Sequence, residues 1–140
     1  MPTWPDDIIL NKAGIIERCI QRIREEYAAN PSLNDYTHTD ALTLNIERAY
    51  QASIDLAMHI VAQQHLGIPQ SKGQAFSLLR RAGFITEKHE QAMRGVSGFR
   101  NIAIHQYQDL DPEALRYIAE QGWKTLQEFC NAMGVTIKIP

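Results

Sequence analysis

Asp40-Ala41-Leu42-Thr43-Leu44-Asn45-Ile46-Glu47-Arg48-Ala49-Tyr50-Gln51-Ala52-Ser53-Ile54-Asp55-Leu56-Ala57-Met58-His59-Ile60-Val61 settles the architecture. Leu42, Leu44, Ile46, Ala49, Ile54, Leu56, Met58, Ile60 and Val61 supply apolar surface along an uninterrupted run that contains neither Gly nor Pro. Such a run reads as one long helix. Thr37-x-x-Asp40 resembles a capping box with Asp in place of Glu, which opens the helix near Thr37. Gly67-Ile68-Pro69 closes it just beyond Leu66.

Four further helices flank it. Asp7 to Asn30 carries Ile8, Ile9, Ile15, Ile16, Cys19, Ile20 and Ile23 in a helical rhythm, with Asp6 as its cap and Asn30-Pro31 as its stop. Ser71-x-x-Gln74 caps a short helix that runs through Phe76, Leu78 and Leu79 to Ala82 and closes at Gly83. Thr86 caps a helix expected from Glu87 to about Tyr107. Asp111-Pro112-Glu113 is the clearest start signal: a cap, a Pro at the first helical position and an acidic first turn. That last helix is expected to run to about Met133, where Gly134 terminates it. The tail, Val135 to Pro140, alternates like a strand but is too short to decide. No repeat, linker or low-complexity tract divides residues 1–140, so the expectation is a single all-α domain: a bundle of four main helices plus one short helix.

The composition is that of a globular protein, with 44% apolar and 21% charged residues in 140. No apolar run approaches the roughly 20 residues needed to cross a bilayer, and the first residues lack a signal-peptide pattern. Cys19 and Cys130, each among apolar neighbours, read as buried reduced thiols. A cytoplasmic protein with no membrane partner is expected. The net charge of −2 argues against an indiscriminate nucleic-acid binder. Its distribution is uneven, because Ser71 to Arg100 holds six basic residues against two acidic ones.

That basic stretch ends on Gly98-Phe99-Arg100-Asn101-Ile102-Ala103-Ile104-His105-Gln106-Tyr107. An arginine holds a phosphate through two parallel hydrogen bonds, and a histidine moves a proton near neutral pH. At about 100° per residue, Arg100 and Tyr107 share one helical stripe and Asn101 and His105 share its neighbour. The four span an arc of about 160°, broad for one small pocket and natural for a groove completed by a second copy of the chain. Gly95 and Gly98 each cost a helix interior about 1 kcal/mol, which close approach by another backbone or by nucleic acid would offset. Physics alone also allows a plainer reading, with His105 capping a helix end and Arg100 paired with Asp55 or Asp109. Asp55, mid-helix among apolar residues, wants a cation. It stands four residues from His59, but no further ligand set completes a metal site.

Phe99-Arg100-Asn101 followed by His105-Gln106-Tyr107 resembles the R-x4-H-x-Y signature of HepT-type toxins of the HEPN superfamily. Helix lengths, the basic lead-in and Ile46 to Val61, similar to the family's long second helix, extend the resemblance over most of the chain. It implies a HEPN-like helical bundle and a metal-independent endoribonuclease toxin of a toxin–antitoxin pair, without a cofactor, working as a homodimer on RNA. On that resemblance His105 would be the general base toward a ribose 2′-OH and Arg100 would bind the scissile phosphate, catalytic roles for both. Asn101 and Asp55 would support them, and Lys88 and Arg94 would bind substrate. It also implies a cognate MntA-like minimal nucleotidyltransferase antitoxin that adds AMP to Tyr107. The added charge and bulk beside Arg100 would exclude RNA phosphate. The alternative is a non-catalytic HEPN protein that binds nucleotide or serves only as the partner of a nucleotidyltransferase. The chain is not itself the nucleotidyltransferase expected, because it lacks the Gly-Ser and spaced aspartates of that chemistry.

Overall fold

The computed structural model of the chain describes residues 5–95 and 111–139. Helix α1 spans Asp7–Ala29, and the Asp6 side chain accepts a hydrogen bond from Ile9 N at 2.9 Å, as expected of its cap. Ile9, Ala13, Ile16, Cys19, Ile20 and Ile23 are buried, a spacing of three and four that makes one apolar stripe. Helix α2 spans Tyr36–Gln63. The two run antiparallel, as three seam pairs show: Asp6 with His59, Lys12 with Asp55, and Glu26 with His38.

The start of α2 corrects the sequence reading. Its cap is Asp35, whose Oδ1 accepts from Thr37 N at 2.9 Å, and no Thr37–Asp40 box forms. Asn30 prepares that cap, since its Oδ1 accepts from Asp35 N at 3.0 Å and its own N–H closes α1 onto Glu26 O and Tyr27 O. One turn therefore ends a helix and starts the next. Two apolar residues of the run also lie outside the core: Leu44 and Met58 are exposed.

Helix α3, Lys72–Arg81, starts at Ser71, whose hydroxyl accepts from Gln74 N. Gly83, at φ +86, turns the chain into helix α4, which occupies residues 87–95 of the described chain behind a Thr86 cap. Its expected continuation to Tyr107 lies outside the described residues. Helix α5, Pro112–Tyr117, begins as expected, with the Asp111 side chain accepting from Glu113 N at 3.0 Å.

The final helix runs from Pro112 to Ala132 as expected, with a change of pitch on the way. A π-helical turn, Ile118–Gly122, separates α5 from α6 at Trp123–Ala132. Gly122 is buried, and a Cβ there would stand 3.4 Å from Ile118 Cγ1, so the widened turn packs close to itself. The extra residue in the turn rephases the helix and lets Leu115, Ile118 and Ala119 share one core with Leu126, Phe129 and Cys130. The tail does not form a strand. It lies extended across α1 and α6, with Lys138 N donating to Glu17, Gln127 donating to Ile137 O and the Ile137 side chain buried. Its alternation is that of a chain with one wet and one dry side.

The fold is an all-α bundle with α2 at its centre, packed on α1, α3 and α6. Cys19 and Cys130 are free and buried, and burial pushes the Cys130 thiol up to about 12. No described helix is long and apolar enough to cross a membrane.

The capping assignment has a direct consequence. Asp35→Ala should lower unfolding stability by about 1 kcal/mol, whereas Thr37→Ala should change it by less than about 0.5 kcal/mol. Urea denaturation of both variants reads the difference; equal losses would put the cap back at Thr37.

Candidate functional site

Helix α4 is fixed on both flanks before the chain reaches the arginine–histidine motif. Toward α3, Glu90 Oε2 accepts from Ser77 Oγ at 2.7 Å and Oε1 accepts from Arg80 Nε. Arg94, one turn on, donates through Nη1 to Ser77 Oγ at 2.7 Å and to Gly73 O at 3.1 Å. A Cβ at Gly73 would touch the Arg94 guanidinium carbon at 3.4 Å, so the guanidinium lies directly over that backbone. The Glu90 side chain is only 12% exposed. The Ser77 hydroxyl, then the Arg80 and Arg94 guanidinium groups, hold its carboxyl below the ordinary glutamate value against the opposing effect of burial.

Toward α6, the His89 ring reaches Thr125 O at 3.3 Å and meets Phe129 edge-on at 6.1 Å between centroids. Phe129 also packs edge-on against Phe76 of α3 at 5.5 Å. Met93 completes the anchorage from within the core. Helix α4 is thus tied by charge to α3 and by ring contact to α6.

The motif residues Arg100, Asn101, His105 and Tyr107 lie outside the described residues, as does Asp109. The described site candidates divide in two. Lys88 is exposed and lines a recess of ≈ 330 Å³. Arg94 is committed to the α3 tie described above, with its side chain 47% exposed. Asp55 has a cation from another source than expected: Lys12 Nζ of α1 lies 3.4 Å from Oδ2, and Gln51 Nε2 donates to Oδ1 at 2.7 Å. The expected pairing of Asp55 with Arg100 falls on a residue outside the described ones.

His59 likewise serves the α1 start, with Nε2 2.7 Å from Asp6 Oδ2. The Ile9 N–H first, and His59 next, hold the Asp6 carboxyl below the usual aspartate range. Asp55 and His59 belong to the helix seam, and among the described residues no group of three potential metal ligands gathers.

Gly95 faces open space, with nothing among the described residues within 4 Å of a built Cβ. No described backbone approaches it; it lines a cleft of ≈ 310 Å³ between α4 and the last helices. Sequence reasoning missed Glu90, read there only as one of two acids in a basic stretch. Its i,i+4 spacing to Arg94 was a visible signal; the Ser77 and Arg80 bonds depend on how α3 folds back.

A family model described as ribonuclease HepT-like matches residues 14–133. The chain is 36% identical over 129 residues to an mRNA nuclease HepT of Shewanella oneidensis, covering 91% of this chain and 97% of that protein. It is 29% identical over 109 residues to a tRNA nuclease HepT of Aphanizomenon flos-aquae, covering 75% and 73%. Among solved structures, the tri-AMPylated Shewanella oneidensis HEPN toxin in complex with MNT antitoxin superposes with a TM-score of 0.87 at 36% identity, covering 92% of this chain and 98% of that one. A toxin–antitoxin crystal structure with AMP-PNP gives 0.86 at the same identity, covering 91% and 98%.

Glu90 should be measurable as a keystone. Glu90→Gln keeps the shape and removes the charge, and should cost about 1–3 kcal/mol at neutral pH. Because the folded-state carboxyl titrates below its ordinary value of 4.5, its contribution is fully present above that pH and is lost as pH falls through the lower folded value. Denaturant midpoints of the two proteins should therefore converge on acidification; a gap that persists in acid would show that the charge is not the cause.

Proposed function

The chain belongs to the ribonuclease HepT-like family, and on that premise we propose that it is an endoribonuclease toxin restrained by AMP addition. The observation that carries this reading is a family match over residues 14–133 that contains the whole Arg100…His105-x-Tyr107 motif. The nuclease names of its relatives and the AMPylated toxin–antitoxin complex support it.

Two copies of the chain face their motif arcs across one groove and cleave RNA without a metal. His105 takes the proton from a ribose 2′-OH, and the 2′-oxygen attacks the adjacent phosphorus. Arg100 holds the phosphate and balances the charge that develops on it, while Asn101 orients the pair. The bond from phosphorus to the 5′-oxygen breaks, and the second copy's His105 protonates the leaving oxygen. The products are a 2′,3′-cyclic phosphate and a 5′-hydroxyl. Lys88 and the outer part of Arg94 meet flanking phosphates, and Asp55 supports the site only through the α1–α2 seam.

A minimal nucleotidyltransferase partner transfers AMP from ATP to the Tyr107 oxygen: the phenol loses its proton, the oxygen bonds to the α-phosphorus, and the α–β bond breaks to release pyrophosphate. The phosphodiester so formed puts negative charge where substrate phosphate must sit, so RNA is repelled and blocked together.

Purified protein should cleave RNA in the presence of EDTA, and Arg100→Ala or His105→Ala should each slow cleavage by about 10²–10⁴-fold. Full cleavage by either variant would overturn the assigned roles, and inactive wild type would favour a non-catalytic partner of the nucleotidyltransferase. Co-expression with the neighbouring nucleotidyltransferase should add AMP to wild type and leave Tyr107→Phe unmodified at that position. Intact-mass and peptide spectra read this; an inhibited complex with bare Tyr107 would count against the switch.

A further inference from the structure

The cleft of ≈ 310 Å³ beside α4 has a floor and a mouth of different chemistry. Buried Tyr50 and Gly122 lie at its floor, and its lining is mainly apolar. Tyr117, the last residue of α5 before the π turn, stands at its edge and is 64% exposed. Gln91 and Thr125 bring an amide and a hydroxyl to the same space. Gly95 leaves the α4 side open where any side chain would narrow it. An apolar recess with an aromatic edge and a few hydrogen-bonding groups suits a flat heteroaromatic ring.

Two neighbouring features say what that ring is attached to. The recess of ≈ 330 Å³ that holds Lys88 shares Ala92 and Thr125 with the cleft, so the two adjoin along α4. Lys88 offers a cation there, with His89 beside it and Glu128 also on the lining. An apolar slot continuous with a cationic recess matches the alternation of base and phosphate along a single strand. In a duplex the bases are stacked away from such a slot.

We propose that this cleft is a nucleobase pocket, which takes one base of a single-stranded RNA against Tyr117 while the Lys88 recess receives the adjoining phosphate. The proposal rests on the ribonuclease reading above and adds where substrate selectivity is decided. Gly95 precedes Arg100 by five residues in the sequence, so the pocket is built on the chain segment that leads into the motif. Tyr117 and Gly95 act as selectivity residues.

The test is binding, read separately from cleavage. Fluorescence anisotropy would follow full-length protein binding a labelled single-stranded 2′-O-methyl RNA, which cannot be cleaved by 2′-OH attack, and a set of the same strand with an abasic site at each position in turn. One abasic position should weaken wild-type binding about tenfold, the effect of a single stacked base. Tyr117→Ala and Gly95→Leu should bind the intact strand about tenfold more weakly and lose their response to that position, while Tyr117→Phe should behave as wild type.

Gly95→Ala separates structure from function. It should melt no lower than wild type, since it adds helix propensity in open space, and yet should bind more weakly. If no abasic position matters to wild type, or if Tyr117→Ala and Gly95→Leu respond as wild type does, the pocket is overturned. Cleavage that persists in that case would leave the ribonuclease reading standing; base-dependent binding by a protein that cleaves nothing would leave the pocket and remove the ribonuclease.

Discussion

Helix α2 presents more apolar surface than one partner can cover, and the rest of the bundle follows from that surplus. Its buried residues run from Leu42 to Val61 and include Tyr50, Ile54 and Ile60 on different sides of the helix. Water must be removed from most of its circumference, so α1, α3 and α6 are each placed against it. Three polar residues share that burial without penalty, because each bonds within its own helix. Thr43 donates to Thr39 O, Asn45 to Ala41 O and Ser53 to Tyr50 O, at 2.8, 2.8 and 2.7 Å. The helix can therefore be enclosed with no demand on its neighbours for hydrogen bonds at those positions.

The functional consequence passes through α4. Among the described residues that helix is held by the Glu90 cluster on one flank and the His89–Phe129 contact on the other. Charge fixes its rotation and ring packing fixes its distance. The described part of α4, which precedes Arg100 in the sequence, thus has its orientation set by directional contacts, which is what the proposed roles of Arg100 and His105 require. The π turn matters on the opposite side. It lets a helix that must bury Leu115 and Phe129 along its length leave Tyr117 at the surface beside Gly95.

Much of this was legible before folding. The helices announced themselves through Asp6, Ser71, Thr86 and Asp111, each a side-chain oxygen placed before a helical run, and each cap is seen to bond as expected. At Asp35 the same chemistry was overlooked in favour of Thr37, because two caps within three residues compete and only the turn made by Asn30 decides between them. The candidate site was legible as a motif and as a resemblance, which fixed residue types and spacing. Asp55 shows the limit: its need for a cation was read correctly from the sequence, but the cation comes from Lys12, 43 residues away.

The sequence by itself determined the helices, every described cap but that of α2, the buried thiols and the family, because all of these depend on residue type and on spacing within about one helical turn. Only the tertiary structure decided which charges meet, where Glu90 finds Ser77 and Arg80, why Leu44 and Met58 stay wet, and that a π turn opens a cleft beside Gly95. Those outcomes depend on how separate helices rotate against one another. Rotation is set by the sum of many packing contacts between helices, a quantity that no local spacing along the chain encodes.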